Sequence, residues 1–359
     1  MDRLLVYGAY GYTGSLVSRE AIARGGSPVL AGRDRDRLGE LAADLGVEYR
    51  QFDLEGTTAD LAAELESIDA VLNCAGPFVD TAEPLVEACL STGTDYLDVT
   101  GEFRVFDRLA DRDERAVSAG CTVLPGVGFD VVPSDCLAAF LAEHCPNPTD
   151  LTVGVATTSS LSRGTARTVL RNLGAGGVVR RRNRLVAVPT AYDVRDIDYG
   201  PDVGTMPSIS VPMGDVVTAA HSTGVDRVTV YAGASRRAIR LLTLVKRLEP
   251  VAAFGPVKSG LEWLVDRQIE GPDGGELARD RAIVWAELAN EALTVRGRLG
   301  TPNPYAFTAD AAVTAVQGVL GGGVDAGFQT PATAFGPDFV LECGDVRRVL
   351  LQGEKPVET

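Results

Sequence analysis

The stretch LLVYGAYGYTGSLVSREAIARG, residues 4–25, decides how the chain is read. Residues 3–7 form a short apolar run that ends in glycines, and residues 15–24 carry apolar side chains at helical spacing, so the order is strand, turn, helix. Between strand and helix, Gly8, Gly11 and Gly14 stand in a G-x-x-G-x-x-G arrangement. A glycine-rich turn lets backbone approach a pyrophosphate, whose charge then meets free N–H groups and the positive end of the helix dipole. In that reading Gly8 makes the turn, Gly11 lies against the phosphates and Gly14 lets the helix pack closely on the strand. Tyr10, Tyr12 and Thr13 fill the loop between these glycines and belong to the same candidate nucleotide site.

Outward from the loop the rhythm continues. Segments 27–33, 47–53, 69–76, 94–101 and 121–128 read as strands, and 34–46, 57–67, 82–93 and 103–120 as the helices between them. Six strands in that order predict an α/β fold with an N-terminal Rossmann doubly wound parallel sheet. Beyond Pro125 the pattern changes to a helix at 133–144 and, after Pro146 and Pro148, an alternating strand at 151–158. A helix at 165–177, β-rich segments at 184–194 and 225–233, a strand-like stretch at 283–299 and a helix at 305–323 follow. They predict a second α/β (α+β) domain with a mixed sheet, and 359 residues suit two domains.

The second strand ends in Ala31-Gly32-Arg33-Asp34-Arg35, where an NAD-specific domain carries an acidic residue for the ribose 2′-hydroxyl. Gly32 leaves room instead, and Arg33 is positioned to take a 2′-phosphate with Arg35 or Arg37 as a second cation, so NADP is preferred. Asp34 reads either as a ribose acid or as a helix cap, and Asp53, closing the third strand, either as an adenine ligand or as a cap.

Composition narrows the partners. The 49 acidic residues against 34 basic ones give a formal charge of −15, which disfavours nucleic acid. Only Lys246, Lys258 and Lys355 are lysines, and the acid excess resembles the surface of a salt-adapted, halophilic protein. Six cysteines without a C-x-x-C pair, and two histidines, leave few ligands for a metal, so none is expected; the cysteines read as free thiols in a reducing compartment. A cysteine nucleophile at Cys74 or Cys136 would lack a sequence-adjacent histidine to activate it. There is no run of 18 apolar residues, and the start moves directly into a strand, so a cytoplasmic protein is expected. Residues 236–264 form a basic amphipathic segment that reads either as a helix docked on the core or as a lid or peripheral membrane contact admitting an apolar substrate.

GAYGYTG (8–14), AGRD (31–34), NCAGPF (73–78), YLDVTGE (96–102) and PGVGFDVVPSD (125–135) together resemble the saccharopine dehydrogenase-like family, which includes trans-acting enoyl reductases and saccharopine reductases. Residues 162–181 and GFQTPATAFG (327–336) look like its later landmarks, so the resemblance covers nearly the whole chain. It implies an NADP-binding Rossmann domain over 1–130, with a C-terminal segment of about 325–359 packing back on it. It further implies a substrate and dimerisation domain over 131–324, and hence a homodimer. Cys74, Ala75, Gly76, Pro77 and Phe78 match the loop expected beside the nicotinamide ribose, with Phe78 either near the ring or in ordinary packing.

Hydride transfer asks the protein mainly to hold the acceptor over the cofactor in a dry cleft, with a proton donor or water nearby. Tyr96, Asp98, Glu102 and Asp130 flank the carboxyl ends of the strands, where ligands of open α/β sheets gather, and Tyr96, Glu102 and Asp130 are the candidate catalytic residues. Glu102 could exchange a proton if burial raised its pKa, or could cap the following helix. His144 and His221 read as surface or packing residues, and no Tyr-x-x-x-Lys pair is present. The leading expectation is reduction of a C=C or C=N bond of a small or lipid-like molecule. A saccharopine reductase would need a cationic constellation, for which Arg163, Arg167, Arg171 and Arg180–Arg182 are available, and a cofactor-binding scaffold or redox sensor without turnover is a further alternative.

Overall fold

The computed structural model describes residues 3–157, 176–236, 239, 281–352 and 355–358. Residues 165–175 of the expected helix, most of the basic segment 236–264 and Arg163, Arg167 and Arg171 lie outside them, while Gly177, the last residue of that expected helix, opens a strand. The chain divides into two units, Met1–Ala139 with Pro304–Asp345, and Phe140–Asn303 with Val346–Thr359.

The first unit alternates strictly at its start: β1 (Leu4–Tyr7), α1 (Tyr12–Ala23), β2 (Val29–Gly32), α2 (Arg35–Leu45), β3 (Tyr49–Gln51), α3 (Thr58–Glu64), β4 (Ala70–Asn73), α4 (Phe78–Thr92) and β5 (Asp95–Asp98). Then come α5 (Phe103–Ala110), α6 (Asp113–Ala119), β6 (Thr122–Leu124) and α7 (Val132–Ala142), whose last three residues are counted with the second unit. Strand residues Leu4, Leu5, Val6, Ala70, Val71 and Leu72 are wholly buried, as a parallel sheet covered on both faces requires. Helix α2 shows local encoding of an element: Asp34 accepts from the Arg37 N–H at 3.1 Å at its start, and Gly46 takes φ 69° at its end. The single helix expected over 103–120 is two, α5 and α6, broken at Asp111–Arg112.

The second unit holds β7 (Asp150–Thr157), β8 (Gly177–Arg181), β9 (Arg184–Val188), β10 (Val194–Asp198), β11 (Thr205–Ser210), α8 (Asp215–Thr223), β12 (Arg227–Gly233), β13 (Ala282–Ala289) and β14 (Thr294–Thr301). The strand-like stretch at 283–299 resolves into the hairpin β13–β14, because the Asn290 side chain accepts from Ala292 N–H at 2.9 Å and Leu293 N–H at 2.8 Å and turns the chain.

The late chain divides itself between the units. Helix α9 (Pro304–Leu320), β15 (Gly327–Phe328) and α10 (Pro331–Phe335) belong to the first, and β16 (Arg347–Gln352) and β17 (Lys355–Glu358) to the second. The parallel sheet has seven strands in the order β15-β6-β5-β4-β1-β2-β3, the doubly wound arrangement extended by one late strand. The other sheet is mixed, β10-β11-β12-β7-β13-β14-β16-β17, with β8 pairing β12 and β9; its one parallel pair among the described strands is β7 with β12. The expected ranges are corrected accordingly. The segment that joins the cofactor unit is 304–345 and not 325–359, because α9 packs along α1 while β16 pairs antiparallel with β14.

Candidate cofactor site

The site begins with the turn after β1. Gly8 adopts φ 79°, and a Cβ there would lie 2.8 Å from the Ala75 Cβ, so a side chain is excluded both by conformation and by space. A Cβ on Gly14 would stand 2.3 Å from the Gly8 carbonyl oxygen, which is the close helix–strand approach expected of that glycine. Gly11 is the N-cap of α1, and its N–H donates to the Gly8 carbonyl at 3.0 Å. The first helical bond runs from Ser15 N–H to Gly11 O, at 2.9 Å. The helix has no side-chain cap and no acidic residue in its first turn. The N–H groups of Tyr12, Thr13 and Gly14 therefore point past the end of α1 toward whatever anion the loop holds. A pyrophosphate fits this cradle, and any Cβ on the flanking glycines would spoil it.

The β2–α2 turn differs from its sequence reading. Gly32 leaves room, but the Tyr10 ring occupies it: a Cβ on Gly32 would lie 2.8 Å from Tyr10 Cε1. Arg37 stacks on the same ring, its Cζ 4.5 Å from the centroid, and its Nη2 donates to the Tyr10 carbonyl at 3.1 Å. Arg33 is exposed at the end of β2. Asp34 is the cap of α2, as one of its two readings had it. Asp53 accepts from the Glu55 N–H at 3.0 Å, a local turn at an exposed position.

At the ends of β4 and β5 a buried polar chain holds the 74–78 loop. Asn73 Oδ1 accepts from Ala75 N–H at 2.9 Å, while its Nδ2 donates to Thr81 Oγ1 at 3.0 Å and to the Tyr96 hydroxyl at 3.2 Å. Thr81 Oγ1 donates onward to the Ala75 carbonyl at 2.6 Å. Tyr96 donates to Asp98 Oδ2 at 2.9 Å, and Asp98 Oδ1 accepts from Thr100 N–H and Gly126 N–H, each at 2.9 Å. Burial raises the Asp98 carboxyl to about 6 against these hydrogen bonds, which favour its charged form. Tyr96 is wholly buried and, through burial first and the Asp98 charge second, stays protonated; it holds the loop and has no surface to offer a substrate.

Glu102 also turns out to be an anchor. Its Oε1 accepts from Phe78 N–H and its Oε2 from Val79 N–H, both at 3.1 Å, so the carboxylate caps the first turn of α4 and makes no cap on α5. Phe78 is the first residue of α4 and half-buried, and the Gly76–Pro77 bond ahead of it is cis. Asp130 is the third candidate. It is exposed, and its carboxyl lies over Gly101 at 2.6 Å from where a Cβ would stand. Among the described residues it has no hydrogen-bond or ion-pair partner.

Other groups are less suited to chemistry. Burial pushes the Cys74 thiol up to about 12, leaving little thiolate near neutrality. His144 Nδ1 lies 3.0 Å from the Phe140 carbonyl, a local contact at the end of α7. Arg180 reaches Asn183 and the Val216 carbonyl, and Arg181 reaches the Tyr192 hydroxyl at 2.6 Å, so these arginines serve the β8–β9 hairpin. Sequence reasoning missed Asn73 and Thr81, although a lone amide ending an apolar strand was a usable signal. It also missed Tyr305 at the start of α9, whose ring meets Tyr12 edge-on at 4.9 Å; nothing local could have joined residues so far apart in the chain.

The parallel sheet, its order and the uncapped glycine turn define the first unit as a dinucleotide-binding domain of the Rossmann class. Residues 4–124 match the family model of the saccharopine dehydrogenase NADP binding domain. Over 139 residues the chain is 34% identical to a trans-acting enoyl reductase of Mycobacterium leprae, covering 37% of this chain and 33% of that one. Over 164 residues it is 32% identical to a probable mitochondrial saccharopine dehydrogenase-like oxidoreductase of Arabidopsis thaliana, covering 40% of this chain and 36% of that one. The matched stretches thus span about a third of these relatives' length. The fold of the whole chain is that of a solved saccharopine dehydrogenase (L-Glu forming) from Saccharomyces cerevisiae, with a TM-score of 0.64 and 13% identity over 98% of this chain and 100% of the other.

Proposed function

We propose that the protein is an NADP(H)-dependent oxidoreductase that reduces a C=C or C=N bond of a small or lipid-like substrate. The observation that carries this reading is the uncapped start of α1 beneath the three glycines, placed in the same unit as an exposed Asp130 that has no partner among the described residues. The cofactor, when bound, supplies a hydride from nicotinamide C4, and NADP⁺ is left. The protein's own residues do the rest. The first-turn N–H groups of α1 hold the pyrophosphate, and Arg33 and Arg37 neutralise the 2′-phosphate. The loop 74–78, clamped by Asn73, Thr81 and Glu102, forms a fixed wall on the nicotinamide side. Asp130 gives its proton to the atom left electron-rich when hydride reaches the adjacent carbon, and regains one from solvent because it is exposed.

The resemblance to enoyl reductases supports the C=C branch of this reading. A homodimer formed through the second unit and a cytoplasmic location complete the proposal, and among the described residues no helix is long and apolar enough to cross a membrane. The test is NADPH titration of the full chain followed by a screen of NADPH oxidation on enoyl, imine, carbonyl and amino-dicarboxylic substrates. Turnover of an enoyl or imine substrate, with kcat lowered at least tenfold by Asp130→Asn and NADPH affinity unchanged, is the expected result. Tight binding without turnover on any class would show a cofactor-binding scaffold instead.

A further inference from the structure

We propose that Tyr10 determines cofactor specificity: its ring, seated on Gly32 and stacked under Arg37, holds Arg37 as a preformed site for the 2′-phosphate of NADP and fills the place of an acidic ribose ligand. The inference deepens the cofactor reading and rests on it.

Three contacts meet at this ring. Gly32 must lack a side chain while the ring stands 2.8 Å from where its Cβ would be, so the end of β2 cannot carry the carboxylate that would bond a ribose 2′-hydroxyl. The guanidinium of Arg37 lies 4.5 Å from the ring centroid, and its Nη2 donates to the Tyr10 carbonyl at 3.1 Å. The Arg37 N–H is in turn fixed to Asp34 Oδ1 at 3.1 Å, which ties the root of the side chain to the start of α2. A long arginine side chain ordinarily loses much rotamer freedom when it grips an anion. Here the stack and the carbonyl have ordered it beforehand, and four N–H donors remain for a phosphate. Arg33, exposed at the end of β2, is the second cation and does not depend on Tyr10. Tyr10 thereby links the loop under the pyrophosphate to the turn that reads the ribose, and its effect falls on the 2′-phosphate alone.

Dissociation constants of the full chain for NADPH and for NADH, measured by fluorescence titration on the wild type and on Tyr10→Ala, Tyr10→Phe and Arg37→Gln, test this. The wild type should prefer NADPH. Tyr10→Ala and Arg37→Gln should each weaken NADPH about tenfold, equivalent to about 1.4 kcal/mol, and leave NADH within twofold. Tyr10→Phe should keep the preference, since the ring and the backbone carbonyl suffice. Combining Tyr10→Ala with Arg37→Gln should add little to Arg37→Gln alone, because both remove one clamp. Equal weakening of both nucleotides by Tyr10→Ala, or an unchanged ratio, overturns the proposal and gives Tyr10 a purely structural role. A wild type that binds neither nucleotide, or favours NADH, overturns the cofactor reading itself and is distinguishable because it precedes any substitution.

Discussion

At the scale of single residues, the candidate carboxylates separate by what they touch. Asp98 is buried and its pKa lies near 6, above the 3.8 of a free aspartate. The folded protein therefore holds a proton that the unfolded chain has released between about pH 4 and pH 6. Its contribution to stability is full below pH 4 and is lost as pH rises through 6, a change of up to roughly 3 kcal/mol. Asp98→Asn should remove that slope while keeping an acceptor for Thr100 and Gly126; urea unfolding of both proteins at pH 4 to 7 checks this, and parallel pH profiles would exclude Asp98 as the titrating group. Glu102 carries a different expectation. Because its two oxygens accept from the first turn of α4, Glu102→Gln should cost about 1 kcal/mol of stability and leave the pH profile of turnover in place. Loss of the acidic limb in that profile would return Glu102 to the chemistry. Both roles were hard to read from sequence: YLDVTGE shows that carboxylates cluster at a strand end, but not which backbone N–H each will meet, since the partners of Glu102 lie 24 and 23 residues earlier.

At the scale of elements, α9 is the part that local sequence could not assign. Its apolar periodicity marks a helix, yet a helix is apolar on its buried face whichever unit it joins. The side chains that decide are polar: Arg24 at the end of α1 pairs with Glu20 and Asp310, and also donates to Thr314 at 2.8 Å. At the other end Tyr12 meets Tyr305. The two helices accordingly run in the same direction, with their starts together beside the glycine turn. Arg24→Ala should destabilise the protein by about 1–2 kcal/mol and weaken NADPH binding only slightly, as read from unfolding curves and titration; Asp310→Asn in a double-mutant cycle should show coupling. Independent, additive effects would mean that α9 is held by its apolar face alone.

At the scale of the whole molecule, the net charge of −15 sets a solution property. Self-repulsion among carboxylates destabilises the folded state, and salt screens it over about 10 Å at 0.1 M. Thermal stability is expected to rise as KCl goes from dilute buffer to molar concentrations; full stability in dilute buffer, with no gain on adding salt, would refute salt adaptation. At the same scale the late chain visits both units, with 304–345 in one and 346–359 in the other. No boundary residue announces this division, because it depends on β16 finding β14 as its partner after the helix has gone elsewhere.

The sequence by itself determined the doubly wound half of the protein and its glycine turn, because both depend on short-range spacing: strand–glycine–helix over about twenty residues. The tertiary structure alone decided that Tyr10 fills the space above Gly32, that Tyr96 and Glu102 hold a loop while Asp130 stays free, and that α9 completes the cofactor unit. Those outcomes rest on contacts between segments distant in the chain, where burial and hydrogen-bond satisfaction choose among partners that a local pattern leaves equivalent.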